Sequence, residues 1–245
     1  MQRATIAMFL LSFSFTAYAQ DTATVVKPVA QAPDVAAPKM GNNGEVNPGF
    51  ASSHEKFVQI AKEGTAELLF LGDSITAGWN GKKEIWDKAF GQYKPANFGI
   101  GGDRTQHVLW RITNGELDGI KPKAVVLMIG TNNSSSDSAE GIAKGITNIV
   151  TTIREKQPQA KILLLAVFPR GEKPNPTREK LAQVNAIIAK LDDGKHVHYM
   201  DIGNKFLQPD GGLSKDIMPD YLHLSAAGYQ IWADAIESEL AQLMK

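Results

Sequence analysis

The stretch Glu67-Leu68-Leu69-Phe70-Leu71-Gly72-Asp73-Ser74-Ile75-Thr76 carries an apolar run that stops at a glycine, an acid and a serine. A run with no polar alternation suits a strand buried on both faces of a parallel sheet. Four more runs rich in Val, Ile and Leu follow, at residues 96–98, 124–129, 161–167 and 197–201. Amphipathic stretches at 105–112, 139–156 and 177–191 separate them, and helical patterns at 53–62 and 225–244 flank the set. Strand and helix alternate, so the expected class is α/β. Helix ends are signalled as well. Asp137 and Ser138 precede one amphipathic stretch, and Asn175-Pro176 gives another a cap and a fixed first position. In the last helix, Ile231, Trp232, Ala235, Ile236, Leu240 and Leu243 share a face and are expected to cover one side of the sheet.

The 245 residues allow one generous domain with appendages. Apolar residues make up 43% and charged residues 21%, the proportions of a globular chain with a sizeable core. Lys and Arg number 26 and so do Asp and Glu, which leaves no charge excess to drive binding to nucleic acid or an anionic membrane. Cysteine is absent, which excludes disulfides, thiolate metal sites and a cysteine nucleophile.

Residues 1–19 read as a secretory signal, with Arg3 at the start, an apolar middle and Ala17-Tyr18-Ala19 as the cleavage motif. The apolar run is too short to span ~30 Å of hydrocarbon, so no integral membrane segment is expected after cleavage. The product would be exported, to a periplasmic or extracellular location. Arg3 is the leader's only charge, so the mature chain would hold 25 basic residues against 26 acidic ones. Residues 20–48 are rich in Ala, Val and Pro without a helical or strand period, and read as a flexible tether. The folded domain is then expected over residues 49–245.

In an open parallel sheet, ligands bind beyond the carboxyl ends of the strands. Ser74 stands where the first strand turns to helix, its hydroxyl facing the crevice and its amide at a helix start, able to donate to a developing oxyanion. A serine in such a turn is also a common structural feature. The second run ends in Asn97-Phe98-Gly99-Ile100-Gly101-Gly102-Asp103, where glycine lets the backbone bend and aim an amide at a ligand. A dinucleotide fingerprint fails because Arg104 holds the place of its third glycine. The third run ends in Gly130-Thr131-Asn132-Asn133, where Asn132 offers a side-chain amide or serves as a turn residue. Asp220-Tyr221-Leu222-His223 places a carboxylate three residues before an imidazole. Such a pair suits proton transfer near neutral pH, or is a surface hydrogen bond. Together these segments all lie at strand ends or just before the last helix, and the fold would converge them on one edge. His196 and His198 alternate on a strand beside Asp201 without a third histidine, so they are read as sheet residues and no metal site is expected. His107, Trp110 and Arg111 are read as packing or pairing on a helix, and Asp73 as structural.

At these residues the sequence resembles the SGNH (GDSL) hydrolase family. Within it, the likeness is to the catalytic subunits of intracellular-type platelet-activating-factor acetylhydrolase. It extends from about Glu67 to Tyr229 and rests on four ordered blocks: Gly72-Asp73-Ser74, the glycine block ending at Gly102, Gly130-Thr131-Asn132, and Asp220-x-x-His223. Longer matches carry the subfamily likeness, among them Thr105 to Arg111 and Pro169-Arg170-Gly171. The first block reads Gly-Asp-Ser-Ile in place of the namesake Gly-Asp-Ser-Leu, and the leader and Pro-rich stretch depart from the cytosolic acetylhydrolases.

The resemblance implies a flavodoxin-like, three-layer α/β/α fold around a five-stranded parallel sheet. It implies a cofactor-free and metal-free ester hydrolase with Ser74 as nucleophile, His223 as base and Asp220 orienting the imidazole. The amides of Ser74 and Gly102 and the side chain of Asn132 would form the oxyanion hole. Ile75 and Leu222 flank nucleophile and base, and are expected to shape a pocket for a short acyl group such as acetyl; core packing accounts for them as well. The expected partner is a small-molecule or glycan ester; the sequence leaves the oligomeric state open. Two other readings stand beside hydrolysis: an acyltransferase using the same acyl-serine, and a non-catalytic binding module on the same fold.

Overall fold

The computed structural model describes residues 31–245. Five short strands, β1 (Leu68–Gly72), β2 (Pro95–Gly99), β3 (Ala124–Met128), β4 (Lys161–Leu165) and β5 (Val197–Met200), form one sheet. Their order is β2-β1-β3-β4-β5, and every neighbouring pair is parallel. Each strand sits on its expected apolar run, trimmed or extended by a residue or two at its ends.

Alternate strand residues face opposite layers. Leu69, Leu71, Val125, Leu127, Ile162 and Leu164 join a core with α1 (Pro48–Glu63), α4 (Thr105–Thr113), α5 (Ala139–Lys156) and α6 (Pro176–Ile188). Leu68, Phe70, Val126, Met128, Leu163 and Leu165 face the other way, toward α3 (Lys83–Phe90) and α7 (Ala226–Leu243). This is the expected three-layer α/β/α arrangement, and it explains why the strands lack polar alternation. On the second face Phe70, Trp79, Phe90 and Trp232 pack ring against ring at centroid separations from 4.9 to 6.4 Å. Trp232, Ile236, Leu240 and Leu243 of α7 are buried, so that helix covers the sheet as its pattern predicts.

The capping signals act as read. Asn175 Oδ1 accepts from the amides of Thr177 and Arg178, and Ser138 Oγ accepts from Gly141. α1 starts earlier than its apolar period, at Pro48, because Asn47 caps it and proline presets its first turn. The helix α2 (Ser74–Ala77) begins at the turn expected after β1, whereas α3 has no counterpart among the expected elements, being too short for a helical period to stand out.

The leader, residues 1–19, and residues 20–30 lie outside the described residues. The expectation of a free tether up to residue 48 needs correction for residues 31–47, which form a strap over α4 and α5. Pro33 O accepts from Thr105 Oγ1 at 2.6 Å, Asp34 O from Asn148 Nδ2 at 2.8 Å, and Ala37 N donates to Gln106 O at 3.2 Å. Met40 and Val46 pair as an antiparallel bridge. Partners supplied by distant helices order a segment that has no period of its own, and composition carries no trace of them. No helix among the described residues is long and apolar enough to cross a membrane.

Candidate active site

With β1 flanked by β2 and β3, the strand order reverses beside β1, and a crevice opens at the carboxyl ends. Ser74 enters it as the first residue of α2. Asp73 caps that helix, its Oδ1 accepting from the Ile75 amide at 2.9 Å. The tight strand-to-helix turn requires Gly72, where a Cβ would lie 2.1 Å from Thr76 Oγ1 and 2.4 Å from Met128 O. Tyr229, buried in α7, donates its hydroxyl proton to Ile75 O at 2.6 Å and fixes α2 from below.

Asp220, His223 and Ser74 form one continuous relay. His223 Nε2 lies 2.9 Å from Ser74 Oγ, and its Nδ1 lies 2.6 Å from Asp220 Oδ2. The other carboxylate oxygen, Oδ1, accepts from the amides of Leu222 and His223 at 3.1 and 2.7 Å, which locks the turn. Tyr221 inside that turn has φ +58°, a strained left-handed conformation for a non-glycine residue. Burial alone would raise the Asp220 carboxyl, but hydrogen bonds from the His223 ring and the two amides outweigh it and hold the group below the usual carboxylate value. Ser225, two residues on, caps α7 through Gly228 N. The helix start thus sets the position of the imidazole.

The segments after β2 and β3 meet at the same edge. Gly102 has φ +73°, and its backbone is exposed. Asn132 sits in a single turn of 3-10 helix after β3, and one N–H of its side chain donates to Asp103 O at 2.8 Å. A side-chain amide has two such protons, so one remains available to a ligand. The neighbouring Asn133 is buried and ties the two loops together, accepting from Thr105 N at 3.0 Å and donating to Gln106 Oε1 and Asp137 Oδ2. Among the described residues, the backbone N–H groups of Ser74 and Gly102 have no intramolecular acceptor.

Beneath the glycine block lies a buried ion cluster. Arg111, fully buried, donates to Asp103 Oδ2 at 2.9 Å, to Glu116 Oε2, and to the carbonyls of Phe98 at 3.0 Å and Gly72 at 3.4 Å. One guanidinium therefore holds the ends of β1 and β2 and the loop that follows β2. Burial raises Asp103 to about 6, against the opposing pull of Arg111 and Lys39. It also raises Asp73 to about 7, helped by the nearby Asp103 charge and opposed by the Ile75 amide. His107 is pushed down to about 3 by burial and by the cations Lys39, Arg104 and Arg111. It is therefore neutral at neutral pH, and its 3.9 Å approach to Asp103 is not an ion pair.

All five predicted polar site residues, Ser74, Gly102, Asn132, Asp220 and His223, lie on this edge of the sheet. The expected acyl-pocket pair divides. Leu222 is half-buried beside His223, whereas the Ile75 side chain is 1% exposed and belongs to the core under α2. Ile75 is corrected to a packing residue, because the second position of a helix whose start faces the crevice turns its side chain back toward the sheet. Asp103 and Tyr229 are supporting residues that sequence reasoning did not assign, whereas Arg111, read as packing or pairing on its helix, pairs with Asp103 and Glu116. Asp103 stood inside the quoted glycine block, but its burial and its partner eight residues on depend on how α4 packs. His198 pairs with Glu239 at 3.0 Å, and among the described residues no cluster of three metal-ligating side chains occurs.

Residues 70–231 match the GDSL-like Lipase/Acylhydrolase family. The human platelet-activating factor acetylhydrolase IB subunit alpha1 is 44% identical over 194 residues, 79% of this chain and 83% of its own length. The alpha2 subunit from Rattus norvegicus is likewise 44% identical, over 195 residues. A GDSL-like lipase from Bacteroides thetaiotaomicron superposes with a TM-score of 0.64 at 18% identity, over 77% of this chain and 97% of that one, a likeness of fold. Fold and relatives together define a carboxylic ester hydrolase. The chain belongs to the GDSL-like lipase/acylhydrolase family, and is similar over most of its length to acetylhydrolase subunits.

Proposed function

We propose that this protein is an exported serine esterase that removes short acyl groups, acetyl above all, from a carbohydrate or lipid ester. The observation that carries the reading is the unbroken hydrogen-bonded relay from Asp220 through His223 to Ser74. Ser74 Oγ attacks the ester carbonyl carbon while His223 Nε2 takes its proton. Asp220, held ionised, fixes the ring with Nδ1 as donor and stabilises the imidazolium. The C–O bond of the tetrahedral intermediate then breaks, and the leaving alcohol takes the proton from His223. Water repeats the sequence on the acyl-serine and releases the acid. The oxyanion is met by the amides of Ser74 and Gly102 and the free N–H of Asn132. Leu222, beside the base, supports a confined apolar acyl site, and the acetylhydrolase relatives support acetyl. Export rests on the pattern of residues 1–19.

A fluorophosphonate probe tests the chemistry: labelling is expected in the wild type and lost in Ser74→Ala. Folded protein that takes no label would favour the binding module. Comparing p-nitrophenyl acetate with the octanoate tests acyl length, and faster hydrolysis of the longer ester would reverse that assignment. An acetate-release screen over acetylated xylan, peptidoglycan and acetyl phospholipids identifies the alcohol component. Cell fractionation tests export, and an uncleaved, cytoplasmic product would end that part of the proposal.

A further inference from the structure

The peptide between Gly101 and Gly102 has two working ends. Its N–H is the Gly102 donor of the proposed oxyanion site, and its C=O belongs to Gly101. Because a peptide is planar and trans, the two point in opposite directions, and whatever fixes the carbonyl also fixes the N–H. A peptide between two exposed glycines is the freest kind to rotate. Lys39 Nζ, arriving from the strap, donates to Gly101 O. The same ammonium stands 3.9 Å from Asp103 Oδ1, beyond hydrogen-bond reach, so the carbonyl is its first partner. A Cβ on Gly102 would come within 2.9 Å of Nζ, which places the ammonium directly against the glycine block. The strap is anchored independently of this contact by the hydrogen bonds of Pro33, Asp34 and Ala37 and by the 2.6 Å pair of Lys144 with Asp34.

We infer that Lys39 is a positioning residue of the oxyanion site: its ammonium pins the Gly101–Gly102 peptide so that the Gly102 N–H faces the crevice. The charge on the carbonyl also polarises the peptide and makes that N–H a stronger donor. The inference rests on the proposed role of Gly102 as an oxyanion donor. It assigns a part in the chemistry to a segment outside the four family blocks.

Steady-state hydrolysis of p-nitrophenyl acetate by the full chain tests it. Removing a whole oxyanion donor lowers turnover by ~10² to 10³, so misaligning one that remains is expected to lower it about tenfold. Lys39→Met should show that loss in kcat with KM and the thermal midpoint unchanged, and Lys39→Arg, which keeps the charge, should recover most of it. Lys144→Met loosens the strap without touching Gly101 and should keep wild-type kcat. Wild-type turnover in Lys39→Met would overturn the inference, as would an equal loss in Lys144→Met, which would trace the effect to strap docking. Asn132→Ala and Ser74→Ala run alongside separate the two levels. If both are impaired and Lys39→Met is not, only the role of Lys39 falls; if neither is impaired, the esterase reading falls too.

Discussion

Replacing Asp73 by asparagine probes the carboxyl group next to the nucleophile. Asp73 is fully buried; Oδ1 caps α2 through the Ile75 amide, while Oδ2 has no hydrogen-bond partner. Asparagine keeps the capping oxygen and replaces the unpartnered one with a neutral NH₂. Burial raises the folded-state carboxyl to about 7, from 3.8 in an unfolded chain. Between those values the unfolded state binds fewer protons than the folded one, so stability falls as pH rises through the window and levels off above it. The gap is roughly three pH units, and each unit is worth about 1.36 kcal/mol, which sets a ceiling of about 4 kcal/mol. The other carboxyls titrate in both proteins, so the difference between wild type and variant reports Asp73 together with its coupling to Asp103. Urea unfolding at a series of pH values from about 4 to about 8 provides the measurement. Asp73→Asn is expected to gain on the wild type by a few kcal/mol across that range, with the gain growing toward high pH. A difference that stays flat, or that favours the wild type more as pH rises, would refute the reasoning, since Asp73 would then be ionised throughout.

Arg111→Met leaves Asp103 and Glu116 as buried carboxylates without their shared cation, and should lower stability by about 3 to 5 kcal/mol in denaturant unfolding. A loss below 1 kcal/mol would mean that water reaches the cluster. Asn132→Ala should reduce kcat for p-nitrophenyl acetate by ~10² to 10³ while the fold persists, seen as an unchanged far-ultraviolet spectrum. Unfolding instead would make Asn132 a structural residue. Asp220 lies below the usual carboxylate range. Its replacement by asparagine should lower kcat by about 10⁴, as for other triads of this type, and a near-normal rate would remove Asp220 from the relay.

The sequence by itself determined the alternation of strand and helix, and it singled out Ser74, Asn132, Asp220 and His223, which the fold brings to one edge of the sheet. Those features are local: a buried strand needs an unbroken apolar run, and a turn that exposes a serine or locks an imidazole needs particular residues within a few positions. Only the tertiary structure decided that Ile75 turns into the core, since that depends on which way α2 leaves the sheet. Likewise, Arg111 reaches Asp103 and Glu116 because α4 lies under the glycine block, a packing relation that leaves no period or motif behind. Residues 31–47 show the same limit most clearly. Their Ala- and Pro-rich composition reads as free chain, yet Thr105, Asn148 and Gln106 supply hydrogen bonds that hold them, and Lys39 meets Gly101 across 62 residues of sequence. Order in such a segment is a property of the surface it lies on, and that surface exists only once the chain has folded.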